Sequence, residues 1–136
     1  MIKIVIVAHG ELARELLNSA EMIAGKQPNI YALNRDDQDS LANMQSKIEA
    51  LLKSIGGEDG VLILTDMIGG TPCNASAPMC REFNTEVLAG VNLPMVLSAA
   101  FACKTVKNVS ELADKVFIDG QKSVINVKKL LLSRMK

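Results

Sequence analysis

The chain has 136 residues, enough for one domain with its own core and too few for two. Hydrophobic residues make up 49% and charged residues 22%, as in a globular protein, while 3% aromatics without any Trp argue against a base-stacking surface for nucleic acid. Fifteen basic residues balance fifteen acidic ones, so no net field selects for nucleic acid or an anionic membrane.

The cysteines are Cys73, Cys80 and Cys103, an odd number without a CxxC pair. This fits a reduced, cytoplasmic protein better than a disulfide framework. A single histidine and poorly spaced cysteines disfavour zinc, and no metal or cofactor is expected. The residues from Met1 read as a strand, so no signal peptide is expected, and no apolar run approaches the ~20 residues of a membrane helix.

Ile2 to Ala8 is apolar apart from Lys3, as in a parallel strand buried on both faces. Leu12, Leu16, Leu17, Ala20, Ile23 and Ala24 then recur at helical spacing, predicting a helix from about Glu11 that ends at Gly25. Asn29 to Leu33 reads as a second strand. Asp36, Asp37 and Asp39 are suited to cap the next helix, whose stripe is Leu41, Met44, Ile48, Leu51 and Leu52 before Gly56-Gly57.

Val61 to Thr65 predicts a third strand. Pro72, with Thr71 as candidate N-cap, opens a helix expected to reach Arg81. Glu86 to Ala89 reads as a fourth strand, and Asn92-Leu93-Pro94 opens the next helix. Asn108 and Glu111 form a capping-box pattern ahead of Val109, Leu112, Ala113 and Val116. Ser123 to Val127 is expected to be a fifth strand, followed by a basic tail.

The β-α-β-α-β-α-β order predicts one α/β domain over 1–136, a doubly wound, mostly parallel sheet of order 2-1-3-4 with a C-terminal fifth strand. In such a sheet, ligands bind beyond the carboxyl ends of the strands where the order reverses, here between strands 1 and 3. Strand 1 runs into Ala8-His9-Gly10 and strand 3 into Thr65-Asp66-Met67, so His9 and Asp66 are expected to face one crevice.

A carboxylate beside a histidine fixes the tautomer and leaves the other ring nitrogen as a nucleophile. The glycine-rich turn Gly69-Gly70-Thr71-Pro72 enters a helix and offers backbone N–H groups and a hydroxyl to a phosphate. Gly10, Gly69, Gly70 and Thr71 are therefore the candidate phosphate-binding residues beside a His9–Asp66 pair. Spacing alone leaves other readings open: Asp66 as a turn cap, the glycines as turn geometry, and Thr71 as an N-cap.

The stretches IVIVAHGELA (4–13), LTDMIGGTPCNAS (64–76) and AGVNLPM (89–95) together make the chain resemble the IIA domains of the mannose/fructose/sorbose family of bacterial phosphotransferase systems. The resemblance implies a phosphoryl carrier with a phosphohistidine intermediate. The histidine-containing phosphocarrier protein would phosphorylate His9 at Nε2 while Asp66 holds Nδ1. A IIB protein would receive the group, and membrane IIC and IID subunits would admit the sugar. It also implies a homodimer in which the fifth strand can be exchanged between subunits, and Ser123 to Val127 would be that strand. The chain stops at Lys136, so IIB is expected as a separate polypeptide.

No lysine or arginine occurs between residues 60 and 80, which fits a carrier that must release its phosphate. Met67 and Ile68 are expected at the edge of a shallow docking surface. One alternative recipient is a dihydroxyacetone kinase, and another is a regulatory role for a IIA-like domain. A histidine phosphatase is disfavoured: Ala8-His9-Gly10-Glu11 is similar to its signature but lacks the arginine, and there is no second histidine. Dinucleotide and P-loop fingerprints are absent.

Overall fold

A computed structural model describes residues 1–135. Four strands, β1 (Lys3–His9), β2 (Ile30–Arg35), β3 (Val61–Thr65) and β4 (Thr85–Ala89), form one sheet in the order β2-β1-β3-β4, with every neighbouring pair parallel. Seven helices complete the described chain: α1 (Leu12–Ala24), α2 (Leu41–Ile55), α3 (Thr71–Ser76), α4 (Met79–Glu82), α5 (Leu93–Ala102), α6 (Val109–Lys122) and α7 (Val127–Arg134). The expected 2-1-3-4 order is present.

The pleat divides the apolar strand residues between two cores. Ile4, Ile6, Ala8, Leu62 and Leu64 face α1, α5 and α6, while Val5, Val7 and Ile63 face α2 and α3. Both faces being covered explains why β1 and β3 read as unbroken apolar runs. In α1 the buried residues are Ala13, Leu17 and Ala20, whereas Leu12 and Ile23 at the ends of the expected stripe are exposed.

Several helix boundaries differ from expectation. The cap of α2 is Ser40, whose hydroxyl accepts the Asn43 N–H. Asp39 instead accepts the Asp36 N–H and pairs with Lys47 at 2.8 Å. The expected helix from Pro72 to Arg81 is two short ones, because Pro78 has no N–H to continue the ladder. Asn92 and Asn108 cap α5 and α6 as their spacing predicts, accepting the N–H groups of Met95 and Glu111.

Gly120 lies within α6. A Cβ there would lie 2.7 Å from Met95 Cγ, so the glycine marks a close approach of α6 to α5. The expected fifth strand is not formed in the described residues. Ser123 ends α6 by donating both its N–H and its hydroxyl to the Gly120 carbonyl, and Asn126 caps α7 by accepting the Lys129 N–H. That leaves only Val124 and Ile125 as apolar residues between the two helices, and both are exposed. The expected basic tail is α7, which buries none of its residues.

Candidate functional site

His9 is the last residue of β1, and Asp66 directly follows β3. The ladder pairs Val7 with Thr65, so Asp66 continues opposite Ala8, one residue short of the level of His9. The carboxylate reaches across this offset. Its Oδ2 lies 2.6 Å from His9 Nδ1 and accepts the His9 backbone N–H at 3.0 Å, and Oδ1 accepts the Met67 N–H at 3.0 Å. Asp66 therefore both caps the turn and holds the imidazole, and the two readings left open by spacing are both realised.

Asp66 is 12% exposed and the His9 side chain 42% exposed. Burial pushes the Asp66 carboxyl up, but hydrogen bonds from the His9 backbone and ring, together with the nearby His9 charge, outweigh it. The carboxyl is held below the usual carboxylate range. An ionised Asp66 can only accept, so Nδ1 carries a proton, and in the neutral form of the ring Nε2 is the nitrogen that keeps its lone pair.

The glycine-rich turn closes over the ring. A Cβ on Gly70 would lie 2.9 Å from His9 Cε1 and 3.6 Å from Nε2, so only glycine permits this approach. Gly69 adopts φ +84°, and its carbonyl accepts the Asn74 side-chain amide while the Gly70 carbonyl accepts the Asn74 N–H. Since trans peptides are planar, the N–H groups of Gly70 and Thr71 then point away from α3. The N-cap of α3 is Gly70, with Thr71 as the first helical residue, so the Thr71 side chain does not cap the helix as expected.

Gly10 stands apart from this group. It turns the chain at φ +59°, and its N–H donates to the Arg35 carbonyl at 2.8 Å. The amide that was a candidate phosphate donor is thus engaged by the sheet. Met67 and Ile68, 56% and 79% exposed, form the apolar rim expected of them.

Two polar residues at the end of β2 escaped the sequence reading because β2 runs two residues further than its apolar run. Asn34 donates to Glu11 Oε2 and accepts the Arg14 N–H, tying the end of β2 to the start of α1. Arg35 pairs in register with His9. Extending the alternation of β2 past Leu33 would have placed both. Among the described residues no cluster of His, Cys, Asp or Glu can hold a metal, and no helix is long and apolar enough to cross a membrane.

Comparisons with known proteins find a matching family and a matching fold. The family described as "PTS system fructose IIA component" matches residues 3–117. The PTS system fructose-specific EIIA component of Bacillus subtilis is 38% identical over 98 residues, covering 71% of this chain and 67% of that protein. The mannose-specific EIIAB component of Escherichia coli is 33% identical over 90% of this chain, which spans 38% of that longer protein. Among solved structures, the mannose/sorbose-specific IIA subunit from Enterococcus faecalis superposes with a TM-score of 0.84 at 35% identity, covering 91% of this chain and 92% of that one. The phosphotransferase component EIIA from Streptococcus agalactiae superposes with a TM-score of 0.86 at 32% identity, covering 95% and 99%.

Proposed function

The chain belongs to the mannose-type EIIA family of sugar phosphotransferase systems, and from that premise we propose that His9 is its phosphoryl carrier. The observation that carries the reading is the 2.6 Å contact between His9 Nδ1 and Asp66, which leaves Nε2 as the nucleophile of a half-exposed ring.

The donor is the histidine-containing phosphocarrier protein. His9 Nε2 attacks the phosphorus in line, the P–N bond to the donor histidine breaks, and its electron pair returns to the donor nitrogen. No proton has to leave His9, because Nδ1–H stays bonded to Asp66. The resulting positive charge on the ring faces that carboxylate, which lowers the barrier. The outward N–H groups of Gly70 and Thr71, with the Thr71 hydroxyl, stabilise the equatorial oxygens. The second transfer reverses these events toward a separate IIB protein, and IIC and IID subunits are reached only through it.

The exposed Met67 and Ile68 supply an apolar surface against which both partners dock in turn. The protein works in the cytoplasm as a homodimer. In that assembly the exposed Val124 and Ile125 segment pairs with a neighbour's sheet edge and becomes the fifth strand missing from the single chain.

The test is intact-mass measurement after mixing the protein with phosphoenolpyruvate, enzyme I and the phosphocarrier protein. One acid-labile phosphoryl group is expected on the wild type and none on His9→Ala. Equal labelling of the two would remove His9 from the reading.

A further inference from the structure

The stretch around the glycine turn contains no cation, yet the sheet brings one to His9 from a distant part of the sequence. His9 and Arg35 are ladder partners on neighbouring parallel strands, whose backbones lie about 4.8 Å apart. In-register residues of a parallel pair share a face. On β1 that face is the one of Val5 and Val7, and on β2 it is the one of Tyr31 and Leu33, both lined by the core that meets α2 and α3. The same face carries Gly70 against the His9 ring.

The Arg35 guanidinium is held by a main-chain carbonyl and forms no ion pair within hydrogen-bonding reach among the described residues, although the Asp39 carboxylate lies near enough to attract it. Its Nη2 donates to the Asp39 carbonyl at 2.7 Å, while the Asp39 carboxylate is occupied by Lys47 at 2.8 and 2.9 Å. Its Nε is buried and has no hydrogen-bond partner. A buried donor without a partner costs roughly 1–3 kcal/mol, so an acceptor arriving beside it is favoured. A phosphoryl group brings roughly −1.5 to −2 charge to a crevice that already contains the Asp66 carboxylate.

We propose that Arg35 is the charge-balancing cation of this site, facing the phosphoryl group on His9 from the β2 side as Gly70 and Thr71 face it from the α3 side. This rests on the carrier reading of His9. A guanidinium tied to the backbone of the β2–α2 connection stabilises the phosphorylated state without gripping it bidentately, so the group remains transferable. The arginine thereby sets how far the equilibrium with the donor lies toward this chain.

The test uses the ³¹P resonance of the phosphorylated protein as pH is varied. Wild type, Arg35→Gln, Arg35→Lys and Arg35→Met are loaded with phosphoramidate, or with the phosphocarrier system, and their folding is checked by thermal melting. A facing cation favours the dianionic phosphoryl group. Removing it in Arg35→Gln raises the apparent pKa of that group by about one unit, a roughly tenfold change in its proton affinity. Arg35→Lys stays near wild type, and Arg35→Met, which keeps the aliphatic stem, follows Arg35→Gln and replaces it should that variant fail to fold. A purely structural arginine would alter melting and leave the titration in place. One common titration for all four proteins overturns the role of Arg35 and leaves the carrier reading standing. A wild type that takes no phosphoryl group from either donor overturns both.

Discussion

A single oxygen of Asp66, Oδ2, lies 2.6 Å from the Nδ1 of His9 and also accepts the backbone N–H of the same residue at 3.0 Å. Side chain and main chain of the histidine are thus referred to one atom on the neighbouring strand. The ring cannot swing without leaving that atom, and the atom cannot move without releasing the end of β1. Orientation of the imidazole is therefore a property of the sheet.

Replacing Asp66 tests that coupling. Asp66→Ala is expected to remain folded but to lose about 1–3 kcal/mol, because the N–H groups of His9 and Met67 lose their acceptor. Phosphoryl transfer is expected to slow by roughly ten- to a hundredfold, as the tautomer and ring orientation are no longer fixed. Rapid-quench kinetics of phosphorylation check this, and a rate equal to wild type would reduce Asp66 to a turn residue.

Gly70→Ala separates the site from the fold. The new Cβ would meet His9 Cε1 at 2.9 Å, so the ring must turn away from its bond to Asp66. Replacing Gly by Ala at an N-cap is expected to change stability by about 1 kcal/mol or less. Loss of phosphorylation with a nearly unchanged melting temperature is the expected pair of results, read by intact mass and calorimetry.

The pH dependence of stability has a defined sign. The folded Asp66 carboxyl lies below its unfolded value of about 3.9, because hydrogen bonds from His9 outweigh burial. Its stabilising contribution is then fully present above about pH 4 and is lost as pH falls through the lower folded value. Urea midpoints of wild type and Asp66→Asn, measured from pH 7 down to pH 3, are expected to converge at the acid end. Since Asp39, Asp59 and Asp119 are also held low and are common to both proteins, the difference reports the Asp66–His9 pair.

At the α5–α6 contact, Gly120→Ala opposes two effects. Alanine improves helix propensity by about 1 kcal/mol, but its Cβ would sit 2.7 Å from Met95 Cγ, and overpacking costs roughly 1–3 kcal/mol. Net destabilisation is expected in the wild type. In a Met95→Ala background the clash is gone, and the same substitution is expected to stabilise. A double-mutant cycle by urea unfolding measures the coupling.

The order and type of the four strands, the two asparagine caps of α5 and α6, and the meeting of His9 with Asp66 were legible in the amino-acid sequence. Each depends on local pattern plus one topological rule: apolar runs, capping residues, and the crevice where strand order reverses. The central stretch Leu64 to Ser76 also carried the family resemblance, because a strand end, a carboxylate and a glycine turn are contiguous there.

What local pattern did not carry was decided by contacts between distant segments. Gly120 lies inside α6, where Met95 of α5 occupies the space a side chain would take. Gly10 looked like a phosphate donor until the Arg35 carbonyl claimed its N–H across the β1–β2 ladder. Ser123 to Val127 had the residues of a strand, but a strand also requires an edge to pair with, and the helix ends at Ser123 and Asn126 take up the flanking groups. Arg35 stands 26 residues from His9 in the sequence and beside it in the sheet. Periodicity and capping act over a few residues and can be read along the chain. Register, close approach and the partner of each polar group arise only when the strands are laid side by side.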